Sequence, residues 1–279
     1  MLASVTLATR RRSYWLLFIA SLLILLAAVA LSLPLYGKGF NADAFRDMTT
    51  AKPWKGPGFT LEAWQLAPVG ALLLSLFSAA VLFSILVSFR KTASEEIYFF
   101  AFWAMSCSFE TGRILAARFL EAGSPPSTIL IVTRLVLAAR FSGYGAFFIA
   151  GLRSAGFRNE RAGRALLGAI GIGIAAAWTI PLDSGLFESG FLARPSYFVE
   201  RQLIVVALSL VSAANFLVAV ENSGEKVFRV VAVGAILLLV GQAILISAWR
   251  PEALAAALIL MALGARLVVT RLHSLYLWQ

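Results

Sequence analysis

Four ionisable side chains sit inside apolar runs of this chain: Glu110 and Arg113 in one run, Arg134 and Arg140 in the next. Glu110 and Arg113 are three residues apart, which places them on one face of a helix. Arginine presents a planar fork of donors that matches a carboxylate or a phosphate. A glutamate at depth is suited to counter-ion or acid–base work. Charges inside a bilayer cost about 2.5–3.5 kcal/mol each on insertion scales, so a set of four needs a physical reason. Three readings stand side by side: an ion-pair network that locks helices together, a cavity for an anionic small molecule or lipid head group, and a proton or ion pathway. Three arginines against one glutamate leave two positive charges to be offset. Backbone carbonyls, water, Asn215, Gln242, a loop carboxylate such as Glu200, or a bound anion are the available partners.

The elements that position these residues are membrane-spanning helices. The chain has 279 residues, is 60% hydrophobic and only 14% charged, and has a mean hydropathy of +0.86. That composition excludes an ordinary soluble domain. The expected fold is all-α, a polytopic transmembrane bundle forming a single integral membrane domain over 1–279. About eight spans are expected, near 14–35, 67–89, 95–120, 127–152, 165–182, 200–220, 228–249 and 252–269. The first run is longer than the 7–15 apolar residues of a signal peptide, so it is read as a retained helix. Cleavage after Ala28-Val29-Ala30 would leave seven spans. Residues 36–66 form a polar outer loop rich in turn formers, in which Trp54 and Trp64 suit a membrane interface. Thr92-Ala93-Ser94-Glu95 fits a capping box at the start of the third span. A second polar loop is expected over Asp183–Val199. Leu272, Leu275, Tyr276 and Trp278 suit a tail lying along the inner surface.

The +10 net charge follows the positive-inside rule rather than a nucleic-acid partner. With eight spans and both termini cytoplasmic, 13 Lys and Arg fall on the inner side and 8 on the outer. The expected location is a bacterial-type cytoplasmic membrane, with anionic lipids as partners of the basic inner loops.

Folding the third and fourth spans about Gly123-Ser124-Pro125-Pro126 sets Glu110 level with Val136, Arg113 level with Thr133 and Arg134, and Cys107 level with Arg140. On that register Glu110 reaches Arg113, with Arg134 next in range, and Arg140 lies nearer the membrane centre. The glycines of the fifth span, Gly168, Gly171 and Gly173, favour close helix packing. Asn215 and Gln242 are secondary site candidates, and as polar residues in spans they equally serve to join helices. Tyr98, Phe99, Phe100, Phe102 and Trp103 are lipid-facing or packing residues. Cys107 suits a small core residue.

A single cysteine and a single histidine, His273, exclude a disulfide, a bis-histidine haem and a multi-histidine zinc site within one chain. All five lysines lie outside the spans, which excludes a retinal pigment. No cofactor and no metal is expected. The foremost functional expectation is a binding or sensory module that detects an anionic small molecule or lipid and acts through a partner protein. A transporter or transporter subunit is the second expectation. A lipid-processing enzyme is the third, because Glu110 is its only acid or base at depth.

Overall fold

In a computed structural model the described residues are 7–36, 54–56, 59–61, 63–89, 95–157, 162–187, 190–196, 198–248 and 250–277. The capping residues Thr92–Ser94 and the side chains of Trp54, Trp64, Glu200, Leu275, Tyr276 and Trp278 lie outside them.

The helices are α1 (Leu7–Ser32), α2 (Ala63–Ser88), α3 (Glu95–Ser108), α4 (Gly112–Glu121), α5 (Pro126–Ser154), α6 (Ala162–Thr179), α7 (Phe198–Ser223), α8 (Val227–Ser247) and α9 (Pro251–Leu277). The fold is an all-α bundle, and among the described residues seven helices are long and apolar enough to cross a membrane. The third expected span differs from the others. It is divided into α3 and α4 by a 3-10 turn, Phe109–Thr111. Pro126 opens α5 at its first turn, where its missing N–H costs nothing. Pro251 does the same for α9.

The described parts of the two polar loops contain short strands that their polar composition does not predict. Within 36–66, β1 (Trp54–Gly56) and β2 (Phe59–Leu61) pair antiparallel, and α2 begins at Ala63. The loop after α6 is a second hairpin, β3 (Leu182–Phe187) against β4 (Ala193–Pro195), with a register shift between Asp183 and Phe187.

Burial sorts the helices into an inner set and a rim. In the most apolar window of α2 and of α5, 61% of residues are buried, against 17% in α1 and 22% in α6 and α7. The rim helices turn Leu23, Leu26, Leu167, Ile172, Leu203 and Leu210 outward, which suits lipid. α3 is central, packed on α1, α2 and α5. Its aromatic run is core: Phe99, Phe100 and Trp103 are fully buried, and Trp103 packs against Phe77, Phe100 and Phe147.

Small residues set how closely the central helices approach. A Cβ on Gly143 of α5 would lie 2.0 Å from Ser106 Oγ of α3, and one on Gly112 of α4 would lie 2.4 Å from Val136 Cγ2 of α5. Of the three glycines singled out in α6, only Gly173 is pressed against a neighbour: a Cβ there would lie 2.6 Å from the Ser142 backbone nitrogen. Gly168 and Gly171 face open space. The expectation of tight packing holds for one face of α6 and not for the helix as a whole.

Candidate functional site

Glu110 sits where the helix is interrupted, and the local sequence explains the interruption. Ser106 and Ser108 donate their hydroxyls back to the carbonyls of Trp103 and Met105. Such back-bonding competes with the helical ladder. Ser75 of α2 donates to the Ser108 carbonyl at 3.3 Å and shares a 2.7 Å hydrogen bond with the Thr111 hydroxyl. The neighbouring helix thus supplies polar contacts to the turn that replaces an α-turn at depth.

The carboxylate is held by two arginines. Arg140 Nε donates to Oε1 at 2.8 Å and its Nη2 donates to Oε2 at 2.9 Å, a bidentate pair. Arg113 Nε lies 2.9 Å from Oε2. Exposure is 2% for Glu110, 3% for Arg113 and 7% for Arg140, so the pair is screened from solvent and strongly coupled. Arg113 also donates through Nη1 to the Ile246 carbonyl at 2.8 Å. Ile246 is in the last turn of α8, where carbonyls lack helical partners and the helix dipole is negative. One carboxylate and one helix terminus therefore face two guanidinium groups.

Arg134 is placed elsewhere. It is half-buried on α5, donates to the Trp178 carbonyl at 2.9 Å, and stacks over the Trp178 ring with its guanidinium carbon 5.7 Å from the centroid. Trp178 is in the last turn of α6, so this arginine also serves a helix C-terminus. The expected reach from Glu110 toward Arg134 is corrected: the second arginine on Glu110 is Arg140, which the simple fold set level with Cys107. Gly112 packs on Val136, Ser106 on Gly143, and Glu95 pairs with Arg153. The two arms are thus displaced by two to three residues from a simple fold about the turn. The 3-10 segment supplies part of this, because its larger rise per residue lengthens the first arm by about 1.5 Å over three residues. The charge excess expected from sequence is met by backbone carbonyls of α6 and α8.

The β3–β4 hairpin closes over the cluster, and this the sequence reading missed. Its tip, Gly190-Phe191-Leu192-Ala193, is buried. A Cβ on Gly190 would lie 2.9 Å from the Arg113 guanidinium carbon, so the peptide backbone rests directly against that group. The Ala193 N–H donates to Thr133 Oγ1 at 3.0 Å. Phe191 adopts φ of 64°, an outlier region for a bulky residue. Phe191 and Leu192 share one buried cluster with Ala71, Ile114, Ala117, Ile129 and Val132. The available signal was the apolar triplet Phe191-Leu192-Ala193 in the middle of the loop, flanked by Glu188-Ser189-Gly190 and Arg194.

Neither secondary candidate joins the cluster. Gln242 of α8 accepts a hydrogen bond from Trp103 Nε1 at 3.1 Å and joins α8 to α3. Asn215 of α7 packs beside Gly151 of α5, and its buried Nδ2 has no hydrogen-bond partner among the described residues. Cys107 is buried in the main core. Among the described residues no group of three His, Cys, Asp or Glu side chains is arranged to hold a metal ion. Glu110, committed to two guanidinium groups, is disposed as a counter-ion rather than presented as a general acid.

Comparison with family models, with curated proteins and with solved structures gives no match for this chain. On its own geometry it is a multi-pass helical membrane protein whose buried Glu110 pairs with Arg113 and Arg140.

Proposed function

We propose that the protein is a membrane-embedded binding module for an anionic oxygen group, a carboxylate or phosphate, that reports occupancy to a partner protein. One observation carries this reading: Glu110 occupies a two-arginine fork at a helix interruption. In that position it acts as a tethered stand-in for a ligand anion. A ligand that takes its place on Arg113 or Arg140 changes the contacts of α4, α5 and α8 together, since Arg113 also holds the end of α8. On the inner side, Arg153 of α5 pairs with Glu95 of α3, so the same two helices are tied at a second depth. That inner pair is the route by which an outer event reaches a partner, because the inner loops are short.

The test is native mass spectrometry of the full-length protein with phosphatidylglycerol, phosphatidylcholine or inorganic phosphate added. Wild type is expected to retain an anionic adduct in preference to phosphatidylcholine. Glu110→Gln frees both guanidinium groups and is expected to retain more, while Arg113→Gln with Arg140→Gln retains none. The two anionic probes distinguish a lipid head group from a free anion. Equal retention by all three proteins would overturn the proposal.

A transporter is the second reading. The 3-10 break beside an ion pair at depth favours it, as discontinuous helices are where transporters bind substrate. Anion-driven flux into proteoliposomes, abolished in Glu110→Gln, would move it ahead.

A further inference from the structure

We infer that the buried hairpin tip Gly190–Ala193 is a tethered plug, and that the anion it guards is the head group of an amphiphile entering from the outer leaflet. This rests on the reading of Arg113 and Arg140 as an anion site. The tip has the two chemical parts of such a ligand. Its Gly190 backbone lies against the Arg113 guanidinium, where a polar head would sit. Its Phe191 and Leu192 side chains, 3% and 2% exposed, fill an apolar compartment with Ile114, Ile129 and Val132, where a chain would lie.

Three features make the tip displaceable. It belongs to a two-stranded hairpin, an element with marginal stability of its own. Its Ala193 N–H donates to the hydroxyl of Thr133, a neutral hydrogen bond that a displaced tip exchanges for water. Phe191 is held with φ of 64°, a conformation that withdrawal would relieve. The Phe191 and Leu192 side chains are seated by apolar burial, which an incoming hydrocarbon chain replaces in kind. A hydrophilic anion replaces only the Gly190 contact and leaves that compartment to be refilled. The geometry thus selects an amphiphile over a free anion.

The test locks the plug reversibly. The 3.0 Å contact between Ala193 N and Thr133 Oγ1 brings these residues within disulfide reach, and the native Cys107 is 1% exposed. The double variant Thr133→Cys/Ala193→Cys is prepared as full chain, oxidised and then reduced in the same sample. Phosphatidylglycerol and inorganic phosphate serve as probes. Oxidation is expected to weaken phosphatidylglycerol binding at least about tenfold and reduction to restore it. If the plug is withdrawn about a tenth of the time, Phe191→Ala strengthens apparent binding up to about tenfold. Failure of the cross-link to form would show that the tip is not seated, and would overturn the inference. Equal phosphatidylglycerol binding before and after reduction, still lost in Arg113→Gln with Arg140→Gln, overturns the plug and leaves the anion site standing. Inorganic phosphate binding as well as the lipid overturns the amphiphile assignment. No binding in either form, with none gained in Glu110→Gln, removes the anion site and the plug with it.

Discussion

Replacing Arg140 by Gln removes a bidentate partner from a carboxylate that is 2% exposed. Two charge-assisted hydrogen bonds are lost, each worth about 1.5–3 kcal/mol. Breaking a buried ion pair on one side costs about 3–5 kcal/mol, which overlaps the sum of the two bonds. Glu110 keeps Arg113, so the lower part of that range, about 3 kcal/mol, is the expected loss. Arg134→Gln is the matched control. That arginine is half-buried and bonded to one carbonyl with a ring beneath it, and an exposed cation–π contact adds about 0.5–1 kcal/mol, so its loss is expected near 1 kcal/mol. The assay is reversible unfolding in mixed micelles, followed by tryptophan fluorescence on both variants. The pair Glu110→Gln and Arg140→Gln then closes a double-mutant cycle, with a coupling of about 2–3 kcal/mol expected. Equal losses for Arg140→Gln and Arg134→Gln, or a coupling below about 0.5 kcal/mol, would refute the placement of Glu110 on Arg140 and the register that produces it.

Within α6, Gly173→Ala should destabilise by about 1–3 kcal/mol because its Cβ meets the Ser142 backbone. Gly168→Ala and Gly171→Ala, which face open space, should be neutral or stabilising in the same unfolding assay. Gly190→Val should collide with the Arg113 guanidinium and unseat the β3–β4 hairpin, read as new protease cleavage between Leu182 and Pro195 in vesicles. Gln242→Leu leaves the buried Trp103 N–H without its acceptor and should cost about 1–3 kcal/mol, with a shift in tryptophan emission.

Long apolar runs and their charged punctuation were sufficient to place the helices, whose observed ends lie within a few residues of expectation except at the ends of α1 and α9, where helix continues beyond the apolar run. Glu110, Arg113, Arg134 and Arg140 were legible together because charge at depth is rare, and the structure brings three of the four into contact. Their pairing was not, for two physical reasons. The 3-10 turn changes the rise of one arm, and its cause, hydroxyls of Ser106 and Ser108 turned onto their own backbone, is a three-dimensional choice that composition leaves open. Arg134 and Arg113 find backbone carbonyls at the ends of α6 and α8. Such partners carry no residue-type signal, so a count of side-chain charges overstates the excess. The hairpin tip was obscured by its setting, since three apolar residues in a polar loop read as a weak signal until they are seen seated in the bundle.

The interrupted third helix bears on how the chain is made. As it emerges, Glu110 and Arg113 can meet each other, but the bidentate partner Arg140 is thirty residues downstream. The carbonyl that receives Arg113 arrives 133 residues later. Two charges that have only each other as partners still oppose release of the segment into lipid as an independent helix. Its insertion is therefore tied to synthesis of the following hairpin arm, and its final environment to synthesis of α8. A ribosome-stalled chain ending before Arg140 should leave this segment accessible to aqueous labelling, and one extending past Ser247 should bury it.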